Sequence, residues 1–308
     1  MDKKALQSLI LSEKKQRDTV ILAHTYQAPE IIDIADFAGD SYALSVEAQK
    51  YDAKRIIVCG VRFMAETVKI LSPEKTVILP VSQASCPMAD NITPQQVIDF
   101  KEKHPDYVAV AYVNTTAQVK AQVDVCVTSS SVIKIVKGLE QDKILFLPDG
   151  NLGAYVAKHV PEKEIVIWDG CCPVHDGVTA QDVIDAKAKH PNAVVAVHPE
   201  CKPEVVEIAD MVGSTSEIIK YAKAHEGEVI IGTERGVVDY LEEKNPQGKY
   251  IQLRADKLTC KDMKITRLQD VYQSVIGISG EKIEMDEDLR IAAKRSIDNM
   301  LKIGRAHV

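Results

Sequence analysis

Three cysteines stand at nearly equal intervals in this 308-residue chain: Cys86 in SQASCPMAD, Cys172 in DGCCPVHDG and Cys260 in KLTCKDMK, 86 and 88 residues apart. Three polar rings keep the same interval. His24, Tyr112 and His198 each close a short β-branched run (VILAH, VAVAY, VVAVH) and are 88 and 86 residues apart. Thiols at equivalent positions of three repeats can be brought together at one metal centre although they are distant in sequence. Two kinds of centre fit. A three-thiolate zinc site normally adds a fourth protein ligand and draws its cysteines in close pairs such as C-x₂-C, and no such pair is present. A [4Fe–4S] cluster normally takes four thiolates, so three leave one iron open as a Lewis acid for a substrate oxygen or nitrogen. An open iron suits dehydration or condensation better than electron transfer. Cys59 and Cys126 lie in apolar runs and read as small core residues. Cys201 has no in-phase counterpart, and Cys171 competes with Cys172 only by adjacency.

The elements that must carry these residues repeat with them. A second set of apolar runs ends at Gly60, Pro148 and Thr233, and a third starts at Thr76, Glu164 and Lys249; both recur at 88 and 85 residues. Between them lie segments of helical period, the pattern of parallel βα units. Polar turns GDS (39–41), TSS (128–130) and GST (213–215) each precede a helix, where hydroxyls and unpaired N–H groups can cap the helix or receive an anion. The chain therefore reads as three copies of one α/β unit of 85 to 88 residues. The expected domains are 1–86 with 265–308, 87–172 and 173–264. In open α/β sheets ligands bind beyond the carboxyl ends of the strands, which is where His24, Tyr112 and His198 fall.

Composition narrows the classes. With 45% hydrophobic residues the chain can bury a large core, and its net charge of −7 with pI near 5.7 argues against nucleic acid or an anionic membrane as partner. The N-terminal MDKKALQSLILSEKKQRD is a charged amphipathic helix without a signal-peptide core, and no run of about 18 apolar residues occurs. A cytoplasmic protein is expected, in keeping with an odd count of seven cysteines. The tail GRAHV lacks a core pattern and is expected to be foreign to the fold. No G-x-G-x-x-G, P-loop or H-E-x-x-H motif is present.

Taken together, AHTYQAPEIIDIADFAGDS, CGVRFMAETVKILSPEKTVILP, AYVNTTAQVKAQVDVCVTSSS, LPDGNLGAYVA, CPVH, HPEC, GSTSEI, GTERG and CKDMK resemble the quinolinate synthase family over residues 20 to 268. The resemblance implies three pseudo-threefold-related αβα units, each with a small parallel sheet, around a central active site. It further implies a [4Fe–4S] cluster on Cys86, Cys172 and Cys260, and condensation of iminoaspartate with dihydroxyacetone phosphate to quinolinate, phosphate and water in de novo NAD biosynthesis. The implied partners are these small molecules and, transiently, L-aspartate oxidase. By motif, the family's active-site positions fall on His24, Tyr26, Ser41, Tyr112, Asn114, Ser129, His175, His198, Glu200, Ser214 and Thr215. Side-chain type suggests Glu200 as principal base, His24 and His198 as donors to developing oxyanions, and Tyr26 as a proton relay. Tyr112 and Asn114 suit substrate holding, and the hydroxyl residues suit carboxylate and phosphate. Two departures from the family pattern are a serine in TSSS where asparagine is common and the extra cysteine of GCCPVH.

Other classes remain open on the residues alone: an iron–sulfur dehydratase of the aconitase type, an iron or redox sensor, and a structural zinc site. The segment PDGNLGAYV, glycine-containing and near a strand end, is the candidate for a closing loop.

Overall fold

In a computed structural model, residues 2–305 are described; residue 1 and residues 306–308, the end of the GRAHV tail, lie outside them. The chain divides into two compact units, Met1–Cys86 with Cys260–Arg290 and Pro87–Thr259 with Ile291–Val308.

The first unit holds strands β1 (Thr19–His24), β2 (Phe37–Gly39), β3 (Arg55–Cys59) and β4 (Thr76–Leu79), mutually parallel in the order β4-β3-β1-β2. The second unit holds two sheets. One contains β5 (Val108–Tyr112), β6 (Val125–Val127), β7 (Lys143–Leu147) and β8 (Glu164–Ile167) in the order β8-β7-β5-β6. The other contains β9 (Val194–Val197), β10 (Met211–Val212), β11 (Glu228–Gly232) and β12 (Lys249–Gln252) in the order β12-β11-β9-β10. All three sheets share one parallel strand order, with helices between the strands, so the expected α/β architecture of three αβα units is present. A short strand β13 (Glu281–Lys282) pairs antiparallel with β4. The central strands are sealed on both faces; every residue of β1 is buried, as βα crossovers require. The sequence reading missed β2, β6 and β10 because two or three residues carry no periodicity.

The repeat extends to ion pairs. Asp36, Asp124 and Asp210 each accept the N–H of a residue on the first strand of their sheet (Ile21, Ala109, Val195) at 2.8 Å. Each also pairs with a lysine on the helix before that strand: Lys14 at 2.9 Å, Lys101 at 2.8 Å and Lys187 at 2.8 Å. These clamps fasten helix to strand in every repeat. Helix starts recur too. Thr93, Thr179 and Arg267 each stand seven residues after a proposed cysteine ligand and donate the N–H to a side chain three residues on, at 2.8, 2.9 and 2.8 Å.

The C-terminal helix spans Glu287–Arg305, and within the second unit its residues Ala293, Ile297 and Met300 are buried. Its Ser296 Oγ meets Cys126 Sγ at 3.3 Å, and Asn299 donates to the Asp124 carbonyl at 2.8 Å.

Candidate active site

In a 2-1-3-4 parallel sheet the crossovers leave in opposite directions from the first and third strands, opening a crevice beyond their carboxyl ends. In the third sheet those ends are His198, just after β9, and Thr233, just after β11, held together by the His198 N–H donating to the Gly232 carbonyl at 3.2 Å. His175, Glu200 and Thr233 complete a buried group with His198. The Glu200 carboxylate lies 2.9 Å from His175 Nδ1 and 3.7 Å from His198 Nδ1. His175 Nε2 meets Thr233 Oγ1 at 2.9 Å, and its Nδ1 lies 3.3 Å from Cys172 Sγ. The His175 and His198 ring centres are 4.9 Å apart. Tyr112, at the end of β5, hydrogen-bonds Glu200.

The electrostatics follow from burial. Burial pushes His198 down to about 4, the adjacent Glu200 opposing it and His175 adding to it, so this imidazole is neutral at pH 7. Burial alone would raise the Glu200 carboxyl, but the two histidines and the hydrogen bonds from His175 and Tyr112 outweigh it and hold the group below the usual carboxylate range. Asp149 moves the other way, raised by burial and by the Glu200 charge against three backbone N–H donors. One carboxylate is kept ionised and its neighbour is pushed toward the acid form, the separation that acid–base sites use.

The first unit repeats part of this construction. His24 ends β1 and is buried; its Nδ1 accepts the Tyr26 N–H at 3.1 Å, just as His198 Nδ1 accepts the Glu200 N–H at 3.3 Å. An N–H aimed at Nδ1 fixes the proton on Nε2, so each histidine presents an Nε2–H donor. The Tyr26 ring packs edge-on against His24 at 4.5 Å. Lys264 donates to the Tyr26 carbonyl at 2.6 Å and Gln27 to the Met263 carbonyl at 2.6 Å, fastening this turn to the short helix that follows Cys260.

Strand end and strand end plus two thus carry His24 and Tyr26, Tyr112 and Asn114, and His198 and Glu200, all six expected from sequence. The buried Asn114 Oδ1 has no hydrogen-bond partner among the described residues, which leaves an acceptor for a ligand N–H or O–H.

The cysteines separate by burial. Cys59, Cys126 and Cys201 are sealed, and burial pushes the Cys59 thiol up to about 12. Cys86, Cys171, Cys172 and Cys260 are half-buried. Cys172 and Cys260 occupy matching positions, each just before a four-residue helix, with φ −75° and ψ 112° against φ −81° and ψ 109°. Cys171 is raised by burial and by Asp176 and Asp149.

The polar turns differ in detail from expectation. At GDS the capping side chain is Asp40, which accepts the Ala43 N–H, and Ser41 is the first helical residue. At TSS the helix begins after Ser131, with Ser129 half-buried in the turn. At GST Ser214 is the cap, but its hydroxyl and N–H are both bonded to Glu217, at 2.7 and 2.8 Å. A carboxylate of the chain itself thus meets Ser214 at that corner, beside the buried Thr215.

Sequence reasoning missed Asp149, Asn151 and Thr233. Asp149 caps the helix Gly150–His159 and accepts the Cys172 N–H at 3.0 Å. Asn151 donates to the Asp176 carboxylate at 3.0 Å and the Glu200 carbonyl at 3.1 Å. The signal was available in PDGNLG, read as a loop. It is instead fixed by Gly150 N–H to Gly170 carbonyl at 2.5 Å, and a Cβ on Gly170 would lie 2.4 Å from the Pro148 carbonyl oxygen.

Parallel sheets of one order, with a buried carboxylate and two imidazoles at strand ends, define an α/β protein equipped for acid–base chemistry. The sequence profile of the family described as Quinolinate synthetase A protein matches residues 8–302. The chain is 46% identical over 305 residues to a protein of Caldicellulosiruptor bescii named quinolinate synthase, covering 99% of this chain and 100% of the relative. It is 48% identical over 305 residues to the protein of that name from Aquifex aeolicus, covering 97% and 94%. It is 49% identical over 291 residues to that of Alkaliphilus metalliredigens, covering 94% and 95%. The chain belongs to the quinolinate synthase A family and is an enzyme. Among the described residues no helix is long and apolar enough to cross a membrane. Cys172 Sγ, His175 and Glu200 bring donor atoms within 4.8 Å of one another, a group that could hold a metal ion.

Proposed function

We propose that this enzyme condenses iminoaspartate with dihydroxyacetone phosphate to form quinolinate, phosphate and water, the ring-forming step of de novo NAD biosynthesis, in the cytoplasm. The observation that carries the reading is the Glu200 carboxylate, buried between His175 and His198 with Tyr112 bonded to it. A desolvated carboxylate at a strand end is placed to take a proton from the carbon beside the imine. His24 and His198, each with the proton on Nε2, donate to oxygens on which negative charge develops. Tyr26 relays protons beside His24. Tyr112 and Asn114 hold the substrate, and Ser41, Ser129, Ser214 and Thr215 take its anionic ends. His175 orients Glu200 through Nδ1.

The cysteine set fits a [4Fe–4S] cluster: Cys86, Cys172 and Cys260 are half-buried, and two of them share one backbone geometry before a short helix. They would hold the cluster, whose iron without a protein ligand supplies Lewis acidity for loss of water. Because iminoaspartate is unstable, an L-aspartate oxidase that makes it is the partner this reading names. The test is iron and sulfide content of oxygen-free protein followed by a quinolinate assay. Glu200→Gln is expected to keep its iron and lose ~10²–10⁴ in turnover; near-normal turnover with an intact cluster would remove Glu200 as the base.

A further inference from the structure

We propose that Cys172, His175 and Glu200 form a mononuclear site for a divalent cation of the zinc class, which loads in the cluster-free chain and excludes the cluster. Cys172 immediately precedes the helix Pro173–Asp176 and His175 lies on it, so C-P-V-H presents both side chains from one helical turn. Glu200 arrives from the end of β9. The observed separations are 3.3 Å from Cys172 Sγ to His175 Nδ1 and 2.9 Å from Nδ1 to Glu200 Oε2, with all three donors within 4.8 Å. Zinc at its usual bond lengths in tetrahedral geometry spaces sulfur and nitrogen by about 3.6 Å and nitrogen and oxygen by about 3.4 Å. An ion therefore enters by spreading the Cys172–His175 and His175–Glu200 pairs by about 0.3 and 0.5 Å.

The surroundings are those of a built site. With a metal on Nδ1, His175 carries its proton on Nε2, where Thr233 Oγ1 already stands at 2.9 Å to accept it. Asp149 holds the Cys172 backbone through its N–H, and Asn151 holds the Glu200 carbonyl. All of these residues belong to the second unit, so the site needs neither Cys86 nor Cys260. Three protein ligands leave a fourth position for water. A cation here takes the thiolate that the cluster requires and the carboxylate assigned as base, so the zinc form is an inactive species in which cluster assembly is blocked.

The test uses full-length chain stripped of iron by a chelator without oxygen, then titrated with Co²⁺ as a spectroscopic probe and with Zn²⁺ in competition. The expected result is one ion per chain, with a cobalt–thiolate charge-transfer band of one thiolate, retained in Cys86→Ser and Cys260→Ser and lost in His175→Ala and Glu200→Gln. Thr233→Val, which keeps all three ligands, is expected to lower affinity ~10–100-fold. Zinc-loaded protein is expected to resist iron–sulfide reconstitution until the zinc is chelated. A band of three thiolates, or one lost in Cys86→Ser and kept in His175→Ala, overturns the proposal in favour of a three-cysteine ion site. Absence of cobalt binding overturns it outright. Iron content of the reconstituted protein reads the cluster separately, so the two readings fail independently.

Discussion

Glu200 and Asn114 occupy the same place in two repeats, two residues past a strand end, and meet opposite fates. Glu200 finds His175 and Tyr112; Asn114 Oδ1 finds no partner among the described residues. A buried acceptor without a partner is destabilising, on the order of 1–3 kcal/mol. Removing it should therefore help the fold while harming binding. Asn114→Ala is expected to unfold at an equal or higher denaturant concentration than the parent, while KM for one substrate rises about tenfold, roughly 1.4 kcal/mol of lost binding. A variant that is less stable with KM unchanged would place Asn114 in the scaffold instead. His24 and His198 show how one residue type is given one role twice: a turn of the same geometry aims an N–H at Nδ1 in both, and that fixes which nitrogen can donate.

At the scale of elements, the start of the helix Ala180–Lys189 is anchored by the Asp182 carboxylate. Asp182 caps its own helix through Thr179 and receives Lys257 at 2.6 Å and Arg254 from the turn after β12. Burial would raise this carboxyl, but the bonds from Lys257 and Thr179 prevail and lower it to about 2. Its folded value thus lies below the unfolded one near 3.8. The resulting stability is fully present above about pH 4 and is lost as pH falls from there through about 2, amounting to about 2 kcal/mol. Asp182→Asn should be less stable than the parent by about that amount at pH 7, and the gap should close toward pH 2. Urea unfolding of both proteins across that range measures it, and a gap independent of pH would refute the assignment.

For the molecule as a whole, each sheet is tied to its preceding helix by a lysine–aspartate clamp, and the Asp124 clamp is supported from the C-terminal helix. Asp124, paired with Lys101, also accepts Asn299 on its carbonyl from the C-terminal helix. That helix buries Ala293, Ile297 and Met300, an apolar contribution of about 5 kcal/mol. A chain ending at Arg290 should therefore lose about that much stability, seen as a lower unfolding midpoint in urea, with the second unit opening first by hydrogen exchange at the β5 and β6 amides. Equal midpoints for the two chains would show that the helix is dispensable.

The sequence by itself determined the period: three sets of strands, three strand-end polar rings and three cysteines in phase, because residues i and i+88 occupy equivalent places in a repeat and need equivalent side chains. It also marked His24, Tyr26, Tyr112, Asn114, His198 and Glu200, since polar groups closing an apolar strand conflict with burial and stand out. Only the tertiary structure decided the strand order, which depends on pairing between segments distant in the chain, and the short strands β2, β6 and β10, which have no pattern of their own. It alone placed Thr233 against His175, Asp149 against Cys172 and Asn151 against Glu200. Those contacts join residues 58, 23 and 49 positions apart, and nothing in local sequence records a hydrogen bond that exists only after two crossovers have brought the strand ends together.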